Sequence, residues 1–119
     1  MKIILDTNFL IESLKYKIDS ESQLRRICDF NFKICLLDRT LEELKKINSI
    51  ESRMALSYSR TFHIIDTKEF EHKSVDEILI EISSPETLIA TQDKELKKEL
   101  RKKNIPIIVI RQKKYYKFE

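Results

Sequence analysis

Residues 88–110 read LIATQDKELKKELRKKNIPIIVI. A short apolar run, Leu88 to Ala90, gives way at Thr91-Gln92-Asp93 to a charged stretch whose apolar positions, Leu96 and Leu100, recur one helical turn apart. After Pro106 a second apolar run, Ile107 to Ile110, stops at Arg111. Both runs are too short and too continuous for amphipathic helices, so each reads as a strand buried on two faces, and the segment between them as a crossover helix. A strand, a helix and a second strand in that order make a parallel pair.

The same alternation extends back to the N-terminus. Ile3 to Leu5 stops at Asp6, Ile34 to Leu37 stops at Asp38, and Phe62 to Ile65 stops at Asp66. Helical spacing runs through Phe9, Leu10 and Leu14, through Leu24, Ile27 and Cys28 within an amphipathic stretch from Ser20 to Phe30, through Leu41, Leu44 and Ile47, and through Ile78, Leu79 and Ile82. Five strands alternating with helices predict an α/β fold, a parallel sheet covered on both faces in three α/β/α layers. No repeat or linker divides residues 1–119, so one domain is expected.

The composition narrows the function. Charged residues make up 36% and hydrophobic ones 41%, and no apolar stretch approaches the ~18 residues of a membrane span, so a cytoplasmic protein without membrane contact is expected. Cys28 and Cys35 lack metal-ligand spacing and read as buried free thiols. His63 and His72 have no nucleophile spaced to use them, so histidine acid–base chemistry is not expected. Net charge is only +3, but its distribution is uneven: Lys94, Lys97, Lys98, Arg101, Lys102, Lys103, Arg111, Lys113, Lys114 and Lys117 face Glu95, Glu99 and Glu119 in the last quarter. Residues 111–119 interleave these bases with Tyr115, Tyr116 and Phe118, a tail suited to phosphates and bases. Lys94, Lys97, Arg111, Lys113, Lys114, Tyr115 and Tyr116 are the expected RNA-binding residues.

In open α/β sheets, sites form beyond the carboxyl ends of the strands, and acids stand there: Asp6 after strand one, Glu43 in the helix after strand two, Asp76 in the helix after strand three, and Asp93 after strand four. Helix capping accounts for each acid singly, Thr40 to Glu43 and Ser74 to Glu77 having capping-box form and Asp93 suiting an N-cap. Projected at ~100° per residue, Glu43 lies about 100° from the inward stripe of Leu41, Leu44 and Ile47, while Glu42 lies about 160° away. By the same projection Asp76 sits nearer the core than Glu77. Four converging carboxylates repel one another unless cations lie between them, and hard oxygen ligands select Mg²⁺ or Mn²⁺.

The opening MKIILDTNFLI resembles the start of PIN-domain nucleases; TLEELKKI, with Glu43, resembles their second motif, SVDEILIE, with Asp76, their third, and ATQDKELKKELRKKNIPIIVIRQKKYY the fourth together with the segment after it. This last stretch is most similar to the PIN subgroup that processes small-subunit ribosomal RNA in archaea and eukaryotes. The resemblance covers essentially the whole chain. It implies a five-stranded parallel sheet of order 3-2-1-4-5, divalent-metal-dependent endoribonuclease activity, a ribosomal RNA precursor as partner, and a homodimer in many members. It further implies that Asp6, Asp76 and Asp93 ligate metal, that Glu43 joins them or orients the attacking water, and that Asn8 and Thr91 hold the carboxylates. Two alternatives stand beside it: a toxin-type ribonuclease neutralised by an antitoxin protein, and a non-catalytic RNA-binding assembly factor.

The projection carries its own test. Glu43→Gln and Asp76→Asn are expected to cripple turnover and Glu42→Gln and Glu77→Gln to be mild, so equal losses within either pair, measured on an RNA substrate, would show the assumed helix registers to be wrong.

Overall fold

The computed structural model describes residues 1–119. Its strands are β1 (Lys2–Leu5), β2 (Lys33–Leu37), β3 (His63–Ile65), β4 (Thr87–Ala90), β5 (Ile107–Arg111) and β6 (Tyr115–Phe118), joined by helices α1 (Thr7–Lys15), α2 (Ser20–Ile27), α3 (Asp38–Ile47), α4 (Ile50–Tyr58), α5 (Val75–Ile82) and α6 (Lys94–Lys102). They form one sheet of order β3-β2-β1-β4-β5-β6. The first five strands pair in parallel, and β6 adds antiparallel to β5. The expected order 3-2-1-4-5 is therefore present, with one strand more than expected.

Alternation along the strands builds two apolar layers. Ile3 and Leu5 join Phe9, Leu10, Leu24, Leu36, Leu44 and Ile108 on one face of the sheet. Ile4 joins Cys35, Leu37, Ile78, Leu79, Ile89, Leu96 and Leu100 on the other. Helices α1, α2, α3 and α4 contribute to the first layer, and α5 and α6 to the second. Both cysteines are free, Cys35 buried and Cys28 partly so, and burial pushes both thiols above their ordinary pKa. No helix is long and apolar enough to cross a membrane.

The departures from expectation each have a local cause. Helix α3 begins at Asp38, two residues before Thr40, so Thr40 is inside the helix and caps nothing. Ile47, read as part of the inward stripe, is exposed, because Asn48 takes a left-handed conformation that ends the helix as the stripe turns outward. Helix α2 stops at Ile27 rather than reaching Phe30. Helix α4, not expected from the sequence, packs inward through the small residues Ser52 and Ala55 and turns Ile50, Met54 and Tyr58 to solvent. Its apolar spacing thus marks the wrong face.

The largest correction concerns residues 111–119, which form no free tail. Gln112 and Lys113 both adopt left-handed φ values, 53° and 56°, as the tight turn of a right-twisted hairpin demands. The chain then returns as β6, with Ile110 opposite Tyr116. Tyr116 is fully buried. Its hydroxyl is hydrogen-bonded to Ser13 Oγ at 2.6 Å and Ser20 Oγ at 2.7 Å, and its ring lies 4.8 Å from that of Phe9. Its backbone is held from α2: Arg26 Nη2 donates to Tyr116 O at 2.6 Å, and Tyr116 N donates to Gln23 Oε1 at 3.2 Å. Beyond it, Glu119 pairs with Lys97 at 3.2 Å and with Arg101 and Arg111; hydrogen bonds and charges from Arg111 and Lys97 outweigh burial and pull its carboxyl down to about 2.

Ending the chain after Ile110 is therefore expected to unfold the protein rather than to remove an appendage. Tyr116→Phe should cost roughly 1–3 kcal/mol, since serine partners lose a buried hydroxyl, and Tyr116→Ala about 3–5 kcal/mol. Urea unfolding checks all three; a truncated chain with wild-type unfolding would show β6 to be dispensable.

Candidate acidic site

Because β1 to β5 run parallel, their carboxyl ends meet at one edge of the sheet. Asp6 leaves β1 there and caps α1: its Oδ1 accepts from Thr7 N at 2.9 Å, and its own amide donates to Ala90 O at 3.0 Å. Thr91, fully buried at the end of β4, donates from Oγ1 to Asp6 Oδ2 at 2.9 Å. The same oxygen accepts from Asp93 N at 3.1 Å. Asp93 in turn caps α6, its Oδ1 accepting from Leu96 N at 3.0 Å. Between them Gln92 acts as a piece of strand: its amide accepts from Ile110 N at 2.8 Å and donates to Ile110 O at 3.2 Å.

Glu43 enters from α3. The buried Thr7 hydroxyl donates to Glu43 Oε1 at 3.3 Å and pairs with Thr40 Oγ1 at 3.2 Å. Asp76 occupies the first turn of α5, a helix capped by Ser74, whose Oγ accepts from Glu77 N at 3.2 Å and donates to Glu77 Oε1 at 3.2 Å. Glu77 is thus engaged in the cap while Asp76 is left free of it.

The electrostatics link the four acids. Burial pushes the Asp6 carboxyl above its ordinary pKa, hydrogen bonds from Thr91 and Thr7 hold it down, and the charges of Asp76 and Glu43 push it up again, for a net rise. Burial, then the charge of Asp93, raises Asp76. Asp6 is half-buried, and Glu43, Asp76 and Asp93 are exposed. None of the four takes part in any of the protein's ion pairs. No three acidic, histidine or cysteine side chains close into a ready metal cage. This donor set fits a hard ion that keeps several waters and takes one or two carboxylates directly, as Mg²⁺ does.

Two residues missed in the sequence hold this edge together. Asp38 accepts from Thr67 Oγ1 at 2.6 Å, Thr67 N at 3.2 Å and Arg39 N at 2.8 Å; these bonds outweigh burial and lower its pKa. Arg39 donates to Phe70 O at 2.9 Å and to Lys73 O. Together they strap the loop before Ser74 to the start of α3 and so position the α5 turn that carries Asp76. Asp38 was legible only as the residue that ends strand two, since its partners lie about thirty positions away in the chain.

Other expected residues fall elsewhere. Asn8 is exposed and its side chain holds no carboxylate; the buried Thr7 does that work, because the first helical turn points position 7 inward. Tyr116 is unavailable to RNA because it is buried. Lys97 and Arg111 are paired with Glu119. Tyr115 is half-buried with Arg26 over its ring at 5.6 Å. Lys94, Lys113 and Lys114 are exposed and unpaired.

A carboxyl whose pKa is higher in the folded state than in the unfolded one destabilises the fold above that raised value, and the penalty disappears as pH falls through it. Asp6→Asn is thus expected to raise Tm at neutral pH in metal-free buffer, with the gain shrinking as pH falls through the raised pKa of Asp6. Thermal melts across pH check this; a gain that persists unchanged in acid would assign it to something other than charge.

The sequence and the fold have known counterparts. The family model described as a PIN like domain matches residues 3–113. Ribonuclease VapC4 of Methanocaldococcus jannaschii is 32% identical to this chain over 126 residues, covering 97% of this chain and 94% of that protein. Among solved structures, the PIN domain endonuclease Utp24 matches with a TM-score of 0.85 and 28% identity over 99% of this chain and 90% of that one. By its sequence over nearly its full length, the chain belongs to the PIN-like domain family.

Proposed function

We propose that the protein is a divalent-metal-dependent endoribonuclease that hydrolyses RNA phosphodiester bonds in ribosomal RNA processing. The observation that carries this reading is the acidic edge itself: a half-buried Asp6 with its pKa raised, within electrostatic reach of Glu43 and Asp76, and no protein cation paired with any of them. A ribonuclease and an endonuclease among its relatives support the same chemistry.

Asp6, Asp76 and Asp93 are the residues that would hold Mg²⁺ or Mn²⁺, with Glu43 joining them. Such an ion, when bound, lowers the pKa of water and stabilises charge on the attacking and leaving oxygens of a phosphodiester. The chain's own residues supply position. Thr91 fixes Asp6 Oδ2 and the Asp93 backbone with one hydroxyl. Thr7 donates to Glu43 Oε1 and so holds the carboxylate that would orient the attacking water. Lys94, Lys113, Lys114 and Tyr115 contact the RNA.

A second reading, a toxin-type ribonuclease restrained by an antitoxin protein, is favoured by the near full-length match to VapC4. Precursor rRNA and tRNA pools incubated with the pure protein and Mn²⁺, followed by sequencing of the cleaved ends, separate the two. Discrete ends in rRNA precursors are expected, absent with Asp6→Asn or Asp93→Asn and reduced about 10–100-fold with Thr91→Val, the loss typical of a residue that orients a ligand. Cuts confined to tRNA would favour the toxin reading, and full Mn²⁺-dependent activity in both Asp variants would sink the site.

A further inference from the structure

The basic side chains of the last quarter do not act as one surface. Lys97, Arg101 and Arg111 converge on Glu119, and Lys102 pairs with Glu99. One carboxylate thus fixes the positions of three of these cations. Two lysines without an ion pair meet instead at one ring, where the end of α1 approaches the β5–β6 turn. Lys113 Nζ lies 5.7 Å from the centre of the Tyr16 ring, and Lys15 Nζ lies 6.0 Å from the same ring. Lys17 and Lys114 flank them, and all four lysines are exposed. Glu12 and Asp19, the acids nearest along the chain, pair with none of them; Asp19 is engaged in capping α2 through Ser22 N at 3.1 Å.

Two ammonium groups held against one aromatic ring repel each other, and the negative face of the ring offsets this only in part. A doubly oxygenated anion between them would offset the rest. Neither arm is a loose end. Tyr16 is the C-cap of α1 and packs on the apolar layer, while Lys113 sits in a turn fixed by two left-handed residues and by the buried Tyr116.

We propose that Lys15 and Lys17 join Lys113 and Lys114 beside Tyr16 in an RNA contact, separate from the acids, that holds a backbone phosphate of the strand being cut. This rests on the ribonuclease reading and adds a direction to it. Helix α1 is the ruler: Asp6 caps its start and Tyr16 its end, a separation of about 15 Å at 1.5 Å per residue. One phosphate cannot occupy both places. The strand therefore runs along α1 from the acids to the turn, past Asn8, which is exposed on that helix.

The test is binding of a labelled single-stranded RNA by the full-length protein in EDTA, across a salt series. Lys15→Ala with Lys113→Ala is expected to weaken affinity about tenfold and to flatten the log–log salt slope by about 0.7, the value for one phosphate contact on a single strand. Lys15→Arg with Lys113→Arg should keep the slope. Lys98→Ala with Lys102→Ala, on α6, should keep both affinity and slope. An unchanged slope in the alanine pair, an equal loss in the α6 pair, or displacement of RNA by polyglutamate as readily as by polyuridylate would overturn the patch. Because EDTA removes cleavage, the two readings fail separately. A slope that flattens in a protein that never cuts with Mn²⁺ leaves the patch standing without the nuclease, and cutting by a protein whose alanine pair binds normally leaves the nuclease without the patch.

Discussion

One hydroxyl joins the two central strands at the acidic edge. Thr91 Oγ1 donates a hydrogen bond to Asp6 and accepts one from the Asp93 amide, so the end of β1, the start of α1, the end of β4 and the start of α6 are referenced to a single buried atom. The strand pairing behind it, with Leu5 opposite Ala90, leaves little freedom for the two carboxylates to drift apart. Glu43 and Asp76 are brought in from outside this centre. One is tethered through Thr7, the other through the strap that Asp38 and Arg39 place on the loop before α5. The edge is thus pinned in the middle by one hydroxyl and supplied from its sides by two separately held acids.

Legibility along the chain depends on which forces are local. Runs such as Ile3 to Leu5 and Ile107 to Ile110 are buried on both sides, so their apolar continuity alone placed them, and β1 and β5 lie within a residue of expectation. Asp93 and Ser74 cap helices through contacts three residues away, which makes them visible in sequence. Thr7, Asp38 and Arg39 act on partners far along the chain, and no periodicity records that. β6 was hidden for a different reason: four of the eight residues 111–118 are Lys or Arg, and their charge masked the single tyrosine that decides the burial. Helix α4 escaped because small residues pack inward while its large apolar ones face water.

The added strand also rearranges charge. By binding Lys97, Arg101 and Arg111 together, Glu119 gathers three of the ten bases of the last quarter into one cluster. Seven of those ten bases stay outside the cluster, so one carboxylate organises the flank without neutralising it.

The protein contains no glycine, yet Lys17, Asn48, Asn104, Gln112 and Lys113 all hold left-handed backbone conformations. Lys17, Gln112 and Lys113 carry a Cβ that costs about 1–2 kcal/mol there, a load that glycine would remove, while the two asparagines tolerate the region better. The compensation lies outside the native structure. A denatured chain without glycine visits fewer backbone states at every position and has less disorder to surrender when it folds. Strain confined to a few sites is thus set against stiffness distributed over the whole unfolded polymer, and the balance sits in an ensemble that no contact in the folded protein reveals.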